Sequence, residues 1–118
     1  KKEKLGLAKY FYFSPKYNIK SIVINTISFS KNPEEIFIFA IPKGENRISI
    51  STRCQSAKYN MSDLLKAGIK DLEDSGAGGH PAAAGAWFRT VDLPKFKENV
   101  KNYLKSIKQW IDLLHINF

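Results

Sequence analysis

A glycine-rich stretch around one of the two histidines carries the chemistry in this chain. It reads Gly-Ala-Gly-Gly-His-Pro-Ala-Ala-Ala-Gly over residues 76–85. Glycine accepts positive φ and close approach of a ligand, and the N–H groups of such a turn can form a nest for phosphate oxygens. Pro81 suits the first position of a helical turn, which the next three alanines would continue. The stretch therefore predicts an anion cradle beside His80, a hydrogen-bond donor, with Gly76 and Gly85 setting the loop geometry.

Arg53 is the second candidate for binding an anion. It ends a strand-like run, residues 47–53, in which Ile48 and Ile50 alternate with polar residues. This alternation predicts one buried and one polar face. At the end of the polar face, the fork of the guanidinium could bind a phosphate through two parallel hydrogen bonds. The competing interpretation is a surface arginine that pairs with a nearby carboxylate.

These segments together resemble the DHHA1 domain, the C-terminal substrate-binding domain of the DHH phosphoesterases. The glycine-rich stretch is similar to the family's GGGH-x-x-AAG signature. Residues 48–54 resemble the family's strand that ends in S-x-R-S, and residues 60–74 resemble the helix that precedes the glycine loop. The resemblance covers residues 47–90. Ala77 departs from it where a fourth glycine is common, and Cys54 departs where serine is usual.

The resemblance implies a substrate-gripping domain that performs no catalysis itself. His80 and the backbone of Gly78 and Gly79 would hold a nucleotide phosphate near the scissile bond, and Arg53 would hold an adjacent phosphate. The family includes RecJ-like single-strand exonucleases and nanoRNA or cyclic-dinucleotide phosphodiesterases, and other carriers of the domain act on alanyl-tRNA or polyphosphate. The substrate would be single-stranded nucleic acid or a short oligonucleotide.

Catalysis is expected in a separate N-terminal DHH domain, which makes the parent protein a metal-dependent phosphodiesterase or exonuclease. That domain would hold a divalent metal, Mn²⁺ or Mg²⁺, with D-x-D and D-H-H motifs, and neither motif occurs in this chain. Metal-dependent hydrolysis needs clustered carboxylates and histidines. One cysteine and two distant histidines cannot build a zinc site.

Size and composition fit one folded domain. The 118 residues carry a formal charge of +8, from 19 basic and 11 acidic side chains. A basic balance favours polyanionic partners through counterion release, and a solvated lysine-rich surface is an equal alternative. The lone Cys54 fits a reducing cytoplasm, and no apolar run approaches the ~20 residues that span a membrane. The chain lacks an initiating Met, so we expect it to be a fragment of a longer protein.

The pattern of apolar residues predicts an α/β domain with a mixed, largely antiparallel sheet packed against helices. We divide it into a basic aromatic N-terminal segment (1–20), a motif-bearing core (47–90) and a C-terminal amphipathic helix (92–116). The predicted strands are residues 5–13, 21–29, 35–41, 47–53 and 86–91, and a further helix covers residues 62–73. In the first strand, Tyr10 and Tyr12 would share one face and Phe11 and Phe13 the other. The turn composition of residues 42–46 predicts a hairpin between the third and fourth strands.

The two predicted helices differ in their expected packing. In the first, Ser62 is the predicted N-cap, and Gly68 in mid-helix would permit close packing against the sheet. The second carries a continuous apolar stripe that faces a sheet or a partner. The stripe comprises Leu93, Phe96, Val100, Leu104, Ile107, Ile111 and Leu114, and the opposite side carries Lys97, Lys101, Lys105 and Lys108. These lysines either follow a nucleic-acid backbone or form a solvated face.

The sequence is also compatible with two alternative interpretations. One is a protein-interaction domain that docks a nuclease onto replication or repair partners, through the exposed edge of a hairpin sheet and the aromatic segment 1–20. The other is an unrelated small α/β domain, in which the glycine-rich stretch only lets helix and sheet pack closely.

Overall fold

The computed structural model contains a six-stranded sheet and three α-helices. It describes residues 2–14, 16 and 18–116, except for the side chains of residues 19, 29, 115 and 116. The strands are β1 (Lys2–Leu5), β2 (Ala8–Tyr12), β3 (Ile36–Lys43), β4 (Arg47–Arg53), β5 (Gly76–Gly79) and β6 (Ala83–Arg89), and the helices are α1 (Ile19–Phe29), α2 (Met61–Gly68) and α3 (Leu93–Ile116).

The sheet is mixed and largely antiparallel, as predicted. Its order is β1-β2-β3-β4-β6-β5. Strands β2 and β3 run parallel, and every other neighbouring pair is antiparallel. The predicted hairpin of β3 and β4 is confirmed, and so is the burial of the β4 isoleucines on one face.

The main core lies between one face of the sheet and the helices α2 and α3. Tyr10, Ile38, Ile50 and Phe88 point into it from four different strands and are buried. Phe96 of α3 stacks on Phe88, with ring centroids 4.7 Å apart. The alternation of side chains along each strand therefore leaves the opposite face of the sheet for other contacts.

The described part of the aromatic N-terminal segment contributes strands β1 and β2 to the sheet; residues 1, 15 and 17 lie outside the described residues. The two tyrosines within residues 10–13 face the main core. Phe11 and Phe13 instead stack with Phe39 in a smaller cluster on the other face. This division is the one that the alternating pattern predicted. Strand β1 was not predicted; it pairs with β2 through a tight turn in which Gly6 has a φ of 62°.

Residues 21–29 were predicted as a strand and form helix α1 instead. The run is rich in β-branched residues, which fit either element. The parallel pairing of β2 with β3 decides between them, because parallel neighbours need a crossover connection, usually a helix. The side-chain oxygen of Asn18 caps α1 by accepting from Ser21 N at 3.3 Å, and Val23 packs on Phe37 and Phe39. Helix α1 thus covers part of the sheet face away from α2 and α3.

Helix α2 is shorter than predicted and has a different cap. Asn60 is the N-cap, its side chain accepting from Asp63 N at 3.0 Å, whereas the predicted cap Ser62 is buried. The helix ends at Gly68, and positive φ at Asp71 (66°) turns the chain toward β5. Gly68 permits close packing as predicted, but against α3: an added Cβ would lie 2.7 Å from the ring of Phe96.

The apolar stripe of α3 packs on this domain only over its first half. Phe96, Val100 and Leu104 are buried in the main core. Farther along, Ile107 and Ile111 are half-buried and Leu114 is exposed, so the predicted apolar stripe is fully covered by the sheet only up to about the middle of the helix. In the part of the chain that the structure describes, no helix combines the length and apolarity that crossing a membrane requires.

Candidate functional site

The glycine-rich stretch forms a β-hairpin. Gly76–Gly79 is strand β5, at the edge of the sheet, and it pairs with Ala83–Arg89, strand β6. His80 and Ala83 close the turn with two backbone hydrogen bonds, His80 N to Ala83 O at 2.8 Å and Ala83 N to His80 O at 3.2 Å. The predicted nest and the helical turn after Pro81 were wrong, because the stretch is extended and forms two paired strands joined by a tight turn.

The turn that carries His80 is anchored to two other elements. Cys54 N donates to Ala82 O at 2.9 Å, just after the end of β4. Met61 N donates to Pro81 O at 2.8 Å, at the start of α2. Pro81 itself has a restricted φ. His80 is therefore presented from a braced turn, although its own side chain is exposed.

Arg53 and His80 lie on the same face of the sheet, in one cross-strand row. Arg53 pairs with Ala83 in the register of β4 and β6, and Ala83 pairs with His80 across the turn. Directly paired residues point to the same side, and strands are spaced about 4.8 Å apart, so the two Cα atoms are about 10 Å apart. We call this side, away from α2 and α3, the open face.

The floor next to this row is made of glycine. In the adjacent row of the open face, Ser51 pairs with Gly85, and Gly85 pairs with Gly78. A Cβ added to Gly78 would have no heavy atom within 4 Å, and one added to Gly85 would meet only Ile50 O, at 3.5 Å. The fold leaves the space above both glycines open, so a ligand can approach the backbone there.

Gly76 and Gly79 have structural reasons to be glycine. Gly79 has a φ of 144°, and an added Cβ would lie 2.5 Å from Ala84 Cα. A Cβ on Gly76 would lie 2.8 Å from Nε1 of Trp87, whose indole packs over it. The glycines of the stretch therefore divide into two that the hairpin needs and two, Gly78 and Gly85, that form the open floor.

The edge of β5 supplies backbone donors next to His80. Paired residues in an antiparallel ladder alternate between bonded and non-bonded pairs. Since His80 and Ala83 form a bonded pair, Gly78 bonds inward to β6, and the N–H groups of Ala77 and Gly79 point toward the edge of the sheet. Of the two glycines predicted to contact phosphate through the backbone, Gly79 is the one whose N–H faces outward.

Arg53 is half-buried and has hydrogen-bonding capacity to spare. Its Nη1 donates to Thr52 O at 2.7 Å and to Ser51 Oγ at 3.0 Å. None of the ion pairs within the described residues involves Arg53, so the alternative of a local carboxylate partner is wrong. The guanidinium is held in position by its own strand, and its Nη2 is free of these contacts.

The two departures from the family motif do not face the site. Cys54 is buried in the main core, with Sγ 3.5 Å from Glu34 O. Ala77 packs against the same core from β5. Both side chains therefore lie on the side opposite Arg53 and His80, where they cannot contact a ligand on the open face.

The lysine row of α3 and the candidate site are on opposite sides of the sheet. Helix α3 covers the main core, whereas Arg53 and His80 are on the open face. Lys97 is also engaged within the domain: its Nζ binds Glu3 at 2.8 Å and lies over the Tyr10 ring. The row and the site therefore cannot contact one short segment of a ligand together.

The described residues contain no group of three or more His, Cys, Asp or Glu side chains that could hold a metal ion. His80 stands among glycines, alanines and Arg53 rather than carboxylates. This composition suits an anion and not a divalent cation.

A cleft beside Arg53 was not predicted from the sequence. It lies between α1 and β4, has a volume of about 320 Å³, and is lined by Lys20, Val23, Ile24, Ile27, Ser51 and Arg53. The spacing of the four α1 residues is helical, and Asn18 is a good N-cap. Those two signals favour a helix here, but the β-branched composition suggested a strand.

Comparison with known proteins identifies the domain type. The model of the DHHA1 domain family matches residues 9–112, and no curated protein matches the chain. Among solved structures, the C-Ala domain of alanyl-tRNA synthetase from Aquifex aeolicus is similar, with a TM-score of 0.63 and 19% identity, over 86% of this chain and 96% of that one. The pGpG-specific phosphodiesterase PggH from Vibrio cholerae has a TM-score of 0.59 and 16% identity, over 89% of this chain and 35% of its own length. At these identities the similarity concerns the fold.

Proposed function

The chain belongs to the DHHA1 domain family, and we propose that it binds the phosphates of a nucleic acid or nucleotide on behalf of a separate catalytic domain. The observation that carries the proposal is the row formed by Arg53 and His80 on either side of Ala83, beside the glycine floor of Gly78 and Gly85. A cationic fork, an imidazole and an open backbone surface together match the shape and charge of phosphate oxygens.

Each group has a separate role in this proposal. Arg53 donates through Nη2 to one phosphate, while Nη1 keeps the guanidinium on β4. His80 and the outward N–H of Gly79 donate to a second phosphate at the hairpin turn. The Cα atoms of Arg53 and His80 are about 10 Å apart, and both residues face the open side of the sheet, so we expect them to bind two successive phosphates of one strand.

Such contacts position a strand without reading its sequence. Phosphate contacts fix register and orientation, and the net charge of +8 adds a salt-dependent attraction for polyanions. Two of the solved structures that are similar in fold come from an alanyl-tRNA synthetase and a pGpG-specific phosphodiesterase, proteins named for nucleic-acid and nucleotide substrates. This supports a nucleotide-containing ligand.

We further propose that the separate catalytic domain is the DHH domain of a phosphodiesterase or single-strand exonuclease, and that this DHH domain holds Mn²⁺ or Mg²⁺. Its metal ions would activate the attacking water. The present chain would contribute orientation, since holding the phosphates on both sides of the scissile bond lowers the entropic barrier to attack.

A docking function through residues 1–20 stays an untested alternative. The segment contains β1 and β2, and the buried Tyr10 is part of the main core. Trimming the segment would therefore disrupt the sheet as well as remove a docking surface. The alternative of an unrelated α/β domain is wrong, because the family model covers most of the chain.

The proposal is tested by titrating labelled short single-stranded DNA and RNA with the chain and with His80→Ala, at low and physiological salt. We expect salt-sensitive binding that weakens by about three- to tenfold in the variant, the equivalent of one typical hydrogen bond lost at an exposed site. Lys66→Ala is the matched control, because Lys66 is exposed on α2, on the other side of the sheet. Binding that depends equally on Lys66 and His80, or no binding, would contradict the proposed site.

A further inference from the structure

We propose that the cleft between α1 and β4 binds a single nucleobase, the base attached to the phosphates that Arg53 and His80 hold. This inference rests on the proposed function and adds a second subsite to it. The cleft has one apolar wall, formed by Val23, Ile24 and Ile27, and its remaining lining is Lys20, Ser51 and Arg53.

The apolar wall comes from the way α1 meets the sheet. Lys20, Val23, Ile24 and Ile27 are three or four positions apart and therefore share one side of the helix. Val23 is buried on the cluster of Phe37 and Phe39. Ile24 stands at the margin of that contact and is 63% exposed. Helix α1 thus covers β2 and β3 but not β4, and its aliphatic side chains form one wall of the cleft beside β4.

Arg53 connects the cleft to the phosphate row. It lines the cleft and also begins the row that leads through Ala83 to His80. A phosphate above Ala83 would be one strand spacing, about 5 Å, from β4. The sugar attached to that phosphate can therefore direct its base toward α1 without leaving the open face.

The lining matches the chemistry of a base. A base has two apolar faces and a polar edge, and the isoleucines can contact a face while Ser51 meets the edge. Ser51 Oγ accepts from Arg53 Nη1 at 3.0 Å, which leaves the hydroxyl proton to donate to a ring nitrogen or carbonyl of the base. Lys20 and Arg53 add positive charge that suits a ligand with attached phosphates.

The size of the cleft limits its occupant. Its 320 Å³ is at the lower end of the range of about 300–1,000 Å³ for small-molecule sites, which suits one base and its sugar. With a single neutral donor at Ser51, the cleft would accept any of the common bases. It would therefore distinguish a nucleotide from inorganic phosphate or polyphosphate while remaining tolerant of sequence.

The test separates the base from the phosphates. A labelled short oligothymidylate is compared with an abasic oligomer of equal length, in which tetrahydrofuran replaces every nucleoside and the phosphates are unchanged. The wild-type chain should bind the oligothymidylate about fivefold more tightly. Ile24→Ala should remove most of this difference, because a half-buried contact of about three methyl or methylene groups is lost, and it should leave binding of the abasic oligomer unchanged.

Val91→Ala is the matched control, a β-branched residue that is 78% exposed and lies outside the cleft. It should change the affinity for neither oligomer, and neither variant should change the melting temperature. If His80→Ala weakens both oligomers but the wild-type chain does not prefer the base-bearing one, or Ile24→Ala weakens both equally, the base subsite is wrong and the phosphate site stands. If His80→Ala weakens neither, the phosphate site fails and the base subsite fails with it.

Discussion

Arg53 and His80 face the same side of the sheet with only Ala83 between them, although they belong to different segments of the chain. Strand β6 brings them together, because it pairs with β4 on one side and with β5 on the other. No side chain larger than a methyl group separates the two in their row. An extended anion can therefore contact both residues at once.

The contribution of Arg53 should appear in the salt dependence of binding. For single strands, each phosphate contact contributes about 0.7 to the slope of log affinity against log salt concentration. Arg53→Ala should lower the slope by about that amount and weaken binding of DNA and RNA to a similar extent, as measured by fluorescence anisotropy at several salt concentrations. Lys66→Ala removes the same charge from the opposite side and should leave the slope nearly unchanged. A slope that is the same in the wild type and Arg53→Ala would exclude a direct phosphate contact.

The neighbouring glycines Gly78 and Gly79 should respond in opposite ways to alanine. Gly79→Ala should lower the free energy of unfolding by about 2–4 kcal/mol, since the backbone has a φ of 144° and the new Cβ would collide with Ala84. Gly78→Ala meets open space and should leave stability within about 0.5 kcal/mol. Gly78→Ala should nevertheless weaken oligonucleotide binding, because the new methyl group would occupy the space through which a ligand approaches the backbone. Chemical denaturation and titration of both variants provide the test, and a stable Gly78→Ala with unchanged affinity would mean that the ligand does not approach this floor.

Gly68 should be required for the contact of α2 with α3. Gly68→Ala would place a Cβ 2.7 Å from the Phe96 ring and 3.1 Å from Val100. Phe96 is buried and stacked on Phe88, so it cannot move aside without cost. We expect a loss of about 1–3 kcal/mol, even though alanine is the better helix former.

A double mutant identifies the cause of that loss. Phe96→Leu removes the atoms nearest to the new Cβ, so Gly68→Ala should cost less in the Phe96→Leu background than in the wild type. Equal costs in the two backgrounds would show that the loss arises from the backbone and not from this contact.

Tyr10 should make the domain sensitive to alkaline pH. Burial, and then the negative charges of Glu3 and Tyr12, raise the pKa of Tyr10 above its ordinary value of 10.0. The folded state therefore keeps the phenol proton more tightly than the unfolded state does. The resulting stability is complete below pH 10.0 and decreases as the pH rises above it.

Tyr10→Phe should flatten this alkaline decrease. Because Tyr10 Oη is buried without a hydrogen-bond partner among the described residues, the substitution should also cost little at neutral pH. Urea denaturation from pH 7 to 11 tests both points. Tyr103→Phe is the control, since the pKa of Tyr103 is also raised but this side chain is only partly buried. An alkaline decrease that is unchanged in Tyr10→Phe would assign the effect to another group.

The local pattern of the sequence was enough for the antiparallel part of the fold. Alternation in residues 47–53 predicted both the bounds of β4 and its buried face, since a side-chain period of two is a property of any extended strand. The turn composition of residues 42–46 predicted the hairpin. The residue types of Arg53 and His80 and the motif around them were enough to predict both as candidate phosphate-binding residues, but not their distance in space.

Tertiary structure decided what local pattern could not. Residues 21–29 are compatible with a strand or a helix, and the parallel pairing of β2 with β3 selects the helix, because parallel neighbours need a crossover connection. The glycine-rich stretch is compatible with a nest or a strand, and the free edge of β6 selects the strand by pairing its backbone. These non-local pairings also put Arg53 and His80 in one row and place the cleft of α1 beside it. Such arrangements depend on contacts between distant segments, which composition and spacing along the chain do not specify.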